Sequence, residues 1–261
     1  MENQQQPIIS LSNIKLKKRL NIERLHAKKG ECIYILGPNG AGKSSLLFVI
    51  AGMIATDSGN VLLHNKAIEQ WPLASLANVR TLLPQHTQSS FHLSVREYLS
   101  FYVPSTVADD VKIPALLEKA LEITSFLDKT LTQLSGGERQ RVELGRVLLQ
   151  LWHQLQKGEA LVLLDEPLQG LDIRHQYAVA QLVQALCSKG NTIIMSCHDI
   201  GLSANYSNTI WLMQHGCIVG AGKPEAVLTK GNLETVFECH FAISKHDNFL
   251  EFQVCAPISL E

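Results

Sequence analysis

The chain has 261 residues, 46% of them hydrophobic, which is enough apolar material for one core with an inserted subdomain. Its 23 basic residues are balanced by 24 acidic ones with no polybasic stretch, so a nucleic-acid partner is not expected. No apolar run approaches ~18 residues, so no membrane span is expected, and the six scattered cysteines, without a C-x-x-C pair, read as buried free thiols of a reducing compartment.

Residues 8 to 35 read as strand-rich around a turn near Gly30. Within them Lys15, Lys17, Lys18 and Arg19 interleave with Ile14 and Leu16, the pattern of a half-exposed strand rather than a binding patch. The opening Met1–Gln6 segment has neither the basic nor the apolar region of a signal peptide. Ile33 to Leu36 predict a short buried strand, and Ser44 to Ile50 continue without a breaker as a helix until Gly52. Between them stand Gly37, Pro38, Asn39, Gly40, Ala41, Gly42, Lys43 and Ser44, followed by Ser45. A glycine-rich turn between strand and helix is the setting of a phosphate-binding loop: the glycines let several N–H groups face one anion, and the helix N-terminus adds partial positive charge. Lys43 then reaches the β- and γ-phosphates of a nucleotide, and the Ser44 hydroxyl reaches Mg²⁺.

Asp57-Ser58-Gly59 turns into a strand at Val61–Leu63. Residues 89 to about 150 read as mainly helical, with breaks at Pro104 and Pro114. Inside this stretch Leu134-Ser135-Gly136-Gly137-Glu138-Arg139-Gln140-Arg141 opens a helix whose Val142, Leu144, Leu148 and Leu151 fall on apolar spacing. Ser135 is the expected N-cap, Glu138 completes a capping box, and the bare N–H groups of Gly136 and Gly137 form a second anion site. Residues 160 to 200 alternate strand, helix, strand, as in a right-handed parallel β-α-β unit. Asp165 ends the first of these strands, at the carboxyl edge where ligands bind in such sheets, and can hold Mg²⁺. A hairpin is expected around His215-Gly216, between Ile210–Leu212 and Cys217–Val219. The tail from 231 has the weakest pattern, with a strand expected at Phe249–Phe252.

The motifs at 37–44 and 134–141, in that order, resemble the ATP-binding cassette family, whose signature reads LSGGQ or a close variant. The resemblance covers roughly residues 10 to 230 and recurs at further points. Gln85, after Leu83-Pro84, resembles the Q-loop. Leu161–Pro167 resembles the Walker B strand with its following carboxylate, Gly170-Leu171-Asp172 the D-loop, and His198, within Met195–Asp199, the switch histidine. A nucleotide kinase would explain the phosphate loop but not the 134–141 motif or His198; repair and translation relatives carry a coiled-coil insertion or a second cassette, which this chain lacks.

The resemblance implies an α/β fold: a P-loop NTPase core with a mostly parallel sheet, an N-terminal antiparallel β subdomain and an inserted α-helical subdomain. It implies a single nucleotide-binding domain over 1–261, with the helical subdomain at about 89–150 and a C-terminal tail at about 231–261. ATP would lie on Gly37 to Ser45, and Mg²⁺ on Ser44, Gln85 and Asp165. Glu166 would be the general base, His198 would orient the attacking water, and Gln85 would link the metal site to the helical subdomain. Ser135, Gly136, Gly137 and Asp172 would complete the ATP site of a second copy in a head-to-tail homodimer. The implied partners are transmembrane permease subunits and, indirectly, a substrate-binding protein, at the cytoplasmic face of a bacterial inner membrane. Residues from Gln85 to Tyr98 would dock the permease, with Phe91, Leu93 and Tyr98 as candidate anchors of which at least two are expected in the core.

Two features depart from the common family pattern. The only Phe, Trp or Tyr before Gly37 is Tyr34, inside the strand, so the aromatic that usually stacks on adenine is absent, and Ile14, Leu16 or the stems of Lys17 and Lys18 are left to contact the base. The segment 152–159 is an extension before the Walker B strand. With Leu83-Pro84-Gln85 and Val227-Leu228-Thr229 it resembles the ATPase subunits of bacterial cobalamin importers, those of iron-siderophore and haem importers being the nearest alternatives.

Overall fold

The structure is a computed structural model that describes residues 7–85, 92–102, 112–247 and 249–257. Twelve strands are described: β1 (Pro7–Leu16), β2 (Leu20–Lys28), β3 (Cys32–Leu36), β4 (Ser58–Leu63), β5 (Lys66–Ala67), β6 (Arg80–Leu83), β7 (Leu161–Leu164), β8 (Thr192–Ser196), β9 (Thr209–Gln214), β10 (Cys217–Gly222), β11 (Cys239–His246) and β12 (Phe249–Pro257). The central sheet has the order β10-β9-β3-β8-β7-β6; its strands are parallel except β10, which closes the predicted hairpin with β9. A second sheet, β2-β1-β4-β5, is wholly antiparallel. This is the α/β architecture expected, N-terminal antiparallel layer included.

The apolar runs of the central strands are long because both faces are covered. Successive residues of β3 serve opposite cores: Ile33 and Ile35 pack with Leu46, Leu47 and the antiparallel sheet, while Cys32, Tyr34 and Leu36 pack with the helices on the other side. Tyr34 is fully buried, so it is unavailable to stack on a base. On its face lie the helices Val95–Ser100, Ala115–Leu121, Gly136–Gln150, Ile173–Ser188 and Ile200–Tyr206, whose apolar residues join one cluster. The break predicted at Pro114 is where the second of these begins; residues 89–91 and Pro104 lie outside the described residues. No described helix is long and apolar enough to cross a membrane.

Two expectations are corrected. The strand expected through Arg19 stops at Leu16, and Lys17, Lys18 and Arg19 form the β1–β2 turn, with Lys18 at φ 61 and Arg19 N–H donating to Leu16 O at 2.8 Å. β1 must reverse there to pair Leu16 with Leu20, and three consecutive cations are best solvated at the reversal. Only Cys32, Cys187 and Cys197 are buried thiols; Cys217 and Cys239 are half-buried and Cys255 is exposed on β12. Their strands lie at the sheet edge or in the tail, where one face meets solvent. The predicted strand at 249–252 exists, but it pairs with β11, whose pattern Cys-His-Phe-Ala-Ile-Ser-Lys-His hides the strand.

The extension at 152–159 forms the helix Trp152–Lys157, ended by Gly158 at φ 71. A Cβ on Gly158 would stand 2.0 Å from Lys189 O, so only glycine allows this approach. The extension is stapled to the sheet by the fully buried Asn191. Its Nδ2 donates to Leu155 O and Leu186 O, both at 2.9 Å, and its Oδ1 accepts from Ala160 N–H at 3.1 Å. Asn191→Ala takes the partner from the buried Ala160 N–H and one bond each from Leu155 O and Leu186 O, which keep backbone donors. We expect it to lower unfolding free energy by about 2 kcal/mol, read as a shifted denaturation midpoint with unchanged slope.

Candidate functional site

The phosphate loop forms where β3 ends. Gly37 has φ 155, and a Cβ there would lie 2.3 Å from Met213 O of β9, so the loop begins at a point only glycine can occupy. Gly42 caps the helix Lys43–Ile50 at φ 102 and gives it no side-chain cap, and its first turn has no acidic residue. The first-turn N–H groups are therefore open to an external anion. Lys43 folds back over the loop, its Nζ donating to Gly37 O at 2.8 Å and Pro38 O at 3.1 Å. Burial draws its ammonium below the ordinary lysine range, and the charges of Glu166 and Asp165 oppose that shift. A cavity of about 450 Å³ opens above, lined by Asn39 to Ser45, Gln85, Glu166, Lys18 and Arg19. The turn that displaced the predicted strand thus brings two cations to the rim of the loop. Lys18 was expected only as a stem against the base and Arg19 not at all, because only the β1–β2 reversal brings them to the loop.

The carboxylates sit beyond β7. Asp165 is 1% exposed; its Oδ1 accepts from Ser196 Oγ at 2.7 Å, while its buried Oδ2 has no partner among the described residues. An orphaned buried carboxylate oxygen beside a phosphate loop fits a hard divalent cation, and Ser44 lines the cavity of that loop. Glu166 adopts φ 50, a strained value for a non-glycine residue. Its N–H donates to the same Ser196 Oγ at 2.7 Å. Its side chain is held on both oxygens: Gln85 Nε2 donates to Oε2 at 2.8 Å, and His198 Nε2 lies 2.6 Å from Oε1. Gln85 spends its amide nitrogen in that bond and keeps its carbonyl oxygen for another partner. Ser196 is a site residue that the sequence reading missed. Its signal, a polar residue ending an apolar strand, acquires meaning only once β8 is known to lie beside β7.

The structure does not bring the 134–141 motif into this cavity. Ser135 caps Gly136–Gln150 through the predicted capping box, accepting from Glu138 N–H at 3.3 Å while Glu138 Oε2 accepts from Ser135 N–H at 2.8 Å. That backbone bond, with Lys129 beside it, holds the Glu138 carboxyl down at about 2. Ser135 and Gly136 are exposed, and neither they nor Gly137 line the cavity of their own chain. Asp172 also lies outside it, capping Ile173–Ser188 by accepting from His175 N–H at 2.9 Å. Of the docking anchors, Phe91 lies outside the described residues and Leu93 is half-buried. Tyr98 is a core residue whose hydroxyl donates to the buried Glu143 at 2.8 Å, a bond that consumes the polar end an exposed anchor would offer.

Ser196→Ala removes the one hydroxyl that orients both Asp165 and the Glu166 backbone. We expect a loss of about 10–100-fold in Mg²⁺-dependent ATP turnover, with the folded state retained by circular dichroism.

Residues 20–169 match the ABC transporter family. The chain is 36% identical over 219 residues to the hemin import ATP-binding protein of Hahella chejuensis, covering 83% of this chain and 86% of that one. It is 35% identical over 238 residues to the vitamin B12 import ATP-binding protein of Yersinia enterocolitica, covering 90% and 94%. Among solved structures, an ATP-binding cassette of an ABC transporter superposes with a TM-score of 0.70 at 25% identity, covering 89% of this chain and 99% of that one. The cbiO1 protein of Clostridium perfringens, part of an ABC transporter complex, gives 0.66 at 27% identity, covering 88% and 93%. With its phosphate loop, paired carboxylates and capped 134–141 helix in one α/β frame, the chain belongs to the ABC transporter family of ATPases.

Proposed function

We propose that this chain is the ATP-hydrolysing subunit of a bacterial importer, peripheral to the cytoplasmic face of the inner membrane. It works as a homodimer beneath a separate permease served by a substrate-binding protein. The observation that carries the reading is Glu166, held by Gln85 on one oxygen and His198 on the other, at the wall of the phosphate-loop cavity. The whole chain acts as one nucleotide-binding domain with a helical insertion and a C-terminal tail.

The chemistry follows from the positions of these groups. The loop amides of Gly37–Ser45 and the Lys43 ammonium bind the triphosphate, and Lys43 exchanges two carbonyl bonds for phosphate oxygens. Ser44, Gln85 through its carbonyl oxygen, and Asp165 through Oδ2 would hold Mg²⁺, which when bound neutralises charge on the β- and γ-phosphates. Glu166 accepts the proton of the attacking water on a lone pair that its two partners, Gln85 and His198, leave open. His198, 48% exposed, is the freer of them and turns to the γ-phosphate. The base lies toward the β1–β2 turn. Ile14 is buried and cannot touch it, whereas Leu16, Lys17 and Lys18 line an adjoining cavity of about 570 Å³. The exposed Ser135 and Gly136 complete the nucleotide site of the second copy, which is consistent with their absence from the cavity of their own chain.

For the cargo we favour cobalamin. The helix at Trp152–Lys157, with Leu83–Gln85 and Val227–Thr229, supports that reading, as does the vitamin B12 import relative that spans nearly its full length. Haem is the second reading, favoured by the hemin import relative at 36% identity against 35%.

Glu166→Gln is expected to keep ATP affinity and lower turnover by at least about 10²-fold, measured by phosphate release and by binding of a fluorescent nucleotide. Turnover near the wild-type rate would remove Glu166 from the role of base. Deletion of the gene in a host that depends on external cobalamin is expected to limit growth, with rescue by the intact gene but not by Glu166→Gln. Unimpaired cobalamin uptake with lost haem uptake would move the cargo to the second reading.

A further inference from the structure

One face of the signature helix Gly136–Gln150 is committed to the segment that follows the Glu166 carboxylate. Gly137, Gln140 and Arg141, at i, i+3 and i+4, lie together on that face. A Cβ on Gly137 would stand 2.8 Å from Gly170 O. Gln140 Nε2 donates to Pro167 O at 3.0 Å. Arg141 Nη1 meets His175 Nε2 at 3.0 Å and also donates to Leu121 O at 2.9 Å, with its guanidinium over the Phe126 ring at 4.7 Å.

His175 is the buried joint of this contact, and the catalytic reading above does not use it. Its Nδ1 lies 2.9 Å from both oxygens of Asp172. A guanidinium has only donors, so the Nε2 that faces Arg141 carries the lone pair, and Nδ1 carries the proton shared with the Asp172 carboxylate. Glu122 Oε2 is 3.4 Å from the same Nε2 and is balanced by Arg141 at 3.7 Å, while Glu122 Oε1 is paired with Arg174. Capping of Ile173–Ser188 needs the Asp172 contact alone. The Arg141 arm exceeds what a cap requires, and it runs to the end of the helix Ala115–Leu121. The Asp172 side chain is 67% exposed, so the ring of contacts presents a carboxylate outward, two residues after the Gly170 that Gly137 approaches.

We propose that His175 is a positioning residue for ATP hydrolysis. It fixes the D-loop carboxylate Asp172 to Arg141 of the signature helix, so that the signature segment and the D-loop meet a second copy as one rigid edge. This rests on the composite-site reading of the preceding subsection. Movement of the helical segment then reaches Glu166 through the D-loop rather than being absorbed between them.

The test separates joint from cap. Asparagine keeps a donor near the Nδ1 position for Asp172 and loses the acceptor for Arg141. His175→Asn is expected to hold nucleotide affinity within about twofold while kcat for ATP falls about tenfold or more, at a little-changed melting temperature. Arg141→Met, which keeps its stem over Phe126, should give the same split, and the double variant should lose no more than either single one, because both break one link. His175→Asn turning over ATP within about twofold of wild type, or losses that multiply in the double variant, would overturn the proposal. Should His175→Asn not fold, Arg141→Met decides by the same criterion. A wild-type chain with no ATP turnover would overturn the composite-site reading itself.

Discussion

A buried ammonium and two carboxylates share the carboxyl edge of the central sheet, and most of the surrounding structure serves to hold them there. Lys43 is 6% exposed and Asp165 1%, a depth at which unpaired charge costs several kcal/mol per ion. The cost is offset locally. Lys43 is bonded to two loop carbonyls, Asp165 takes the Ser196 hydroxyl, and Glu166 takes Gln85 and His198. One oxygen, Asp165 Oδ2, has no partner among the described residues. A buried carboxylate oxygen left open beside a phosphate loop fits an external cation, as in a binding centre rather than a structural ion pair.

The geometry of that edge is enforced from both faces of the sheet. Because β3 and β7 alternate their side chains between two cores, neither strand can shift register without moving apolar residues to the wrong side. Their ends, and so Gly37 and Asp165, are fixed relative to one another. Ser196 at the end of β8, which lies between β3 and β7, joins the two carboxylate-bearing positions with one hydroxyl. The antiparallel layer adds the β1–β2 turn, which Gly42 and Gly216 admit to close range: a Cβ on either would meet Arg19 O, at 3.0 and 2.3 Å.

A second rigid unit lies apart from the cavity. The signature helix is sealed to the D-loop along Gly137, Gln140 and Arg141, and its N-terminal serine and glycine face outward. The two units meet in the short segment from Glu166 to Asp172. Strain at Glu166, with φ 50, is concentrated at that junction.

The phosphate loop, the carboxylate pair, the signature cap and the switch histidine were legible in the chain, because each depends on contiguous residues whose chemistry is local. Glycines set backbone curvature, Ser135 and Glu138 cap the helix on which they lie, and an apolar run ending in Asp165 places that carboxylate at a sheet edge. Strand order is not local. Ser196 and His175 acquire partners thirty or more residues away in sequence, from Asp165 and Arg141. Lys18 and Arg19 reach the phosphate loop only because β1 reverses at Leu16, an event set by pairing between strands rather than by their alternation. Tyr98 likewise reads as an aromatic that could face either way until Glu143 on another helix takes its hydroxyl. The sequence by itself determined which groups were candidates for the chemistry. The tertiary structure alone decided which of them touch, because hydrogen bonds across elements depend on distances that no local pattern encodes.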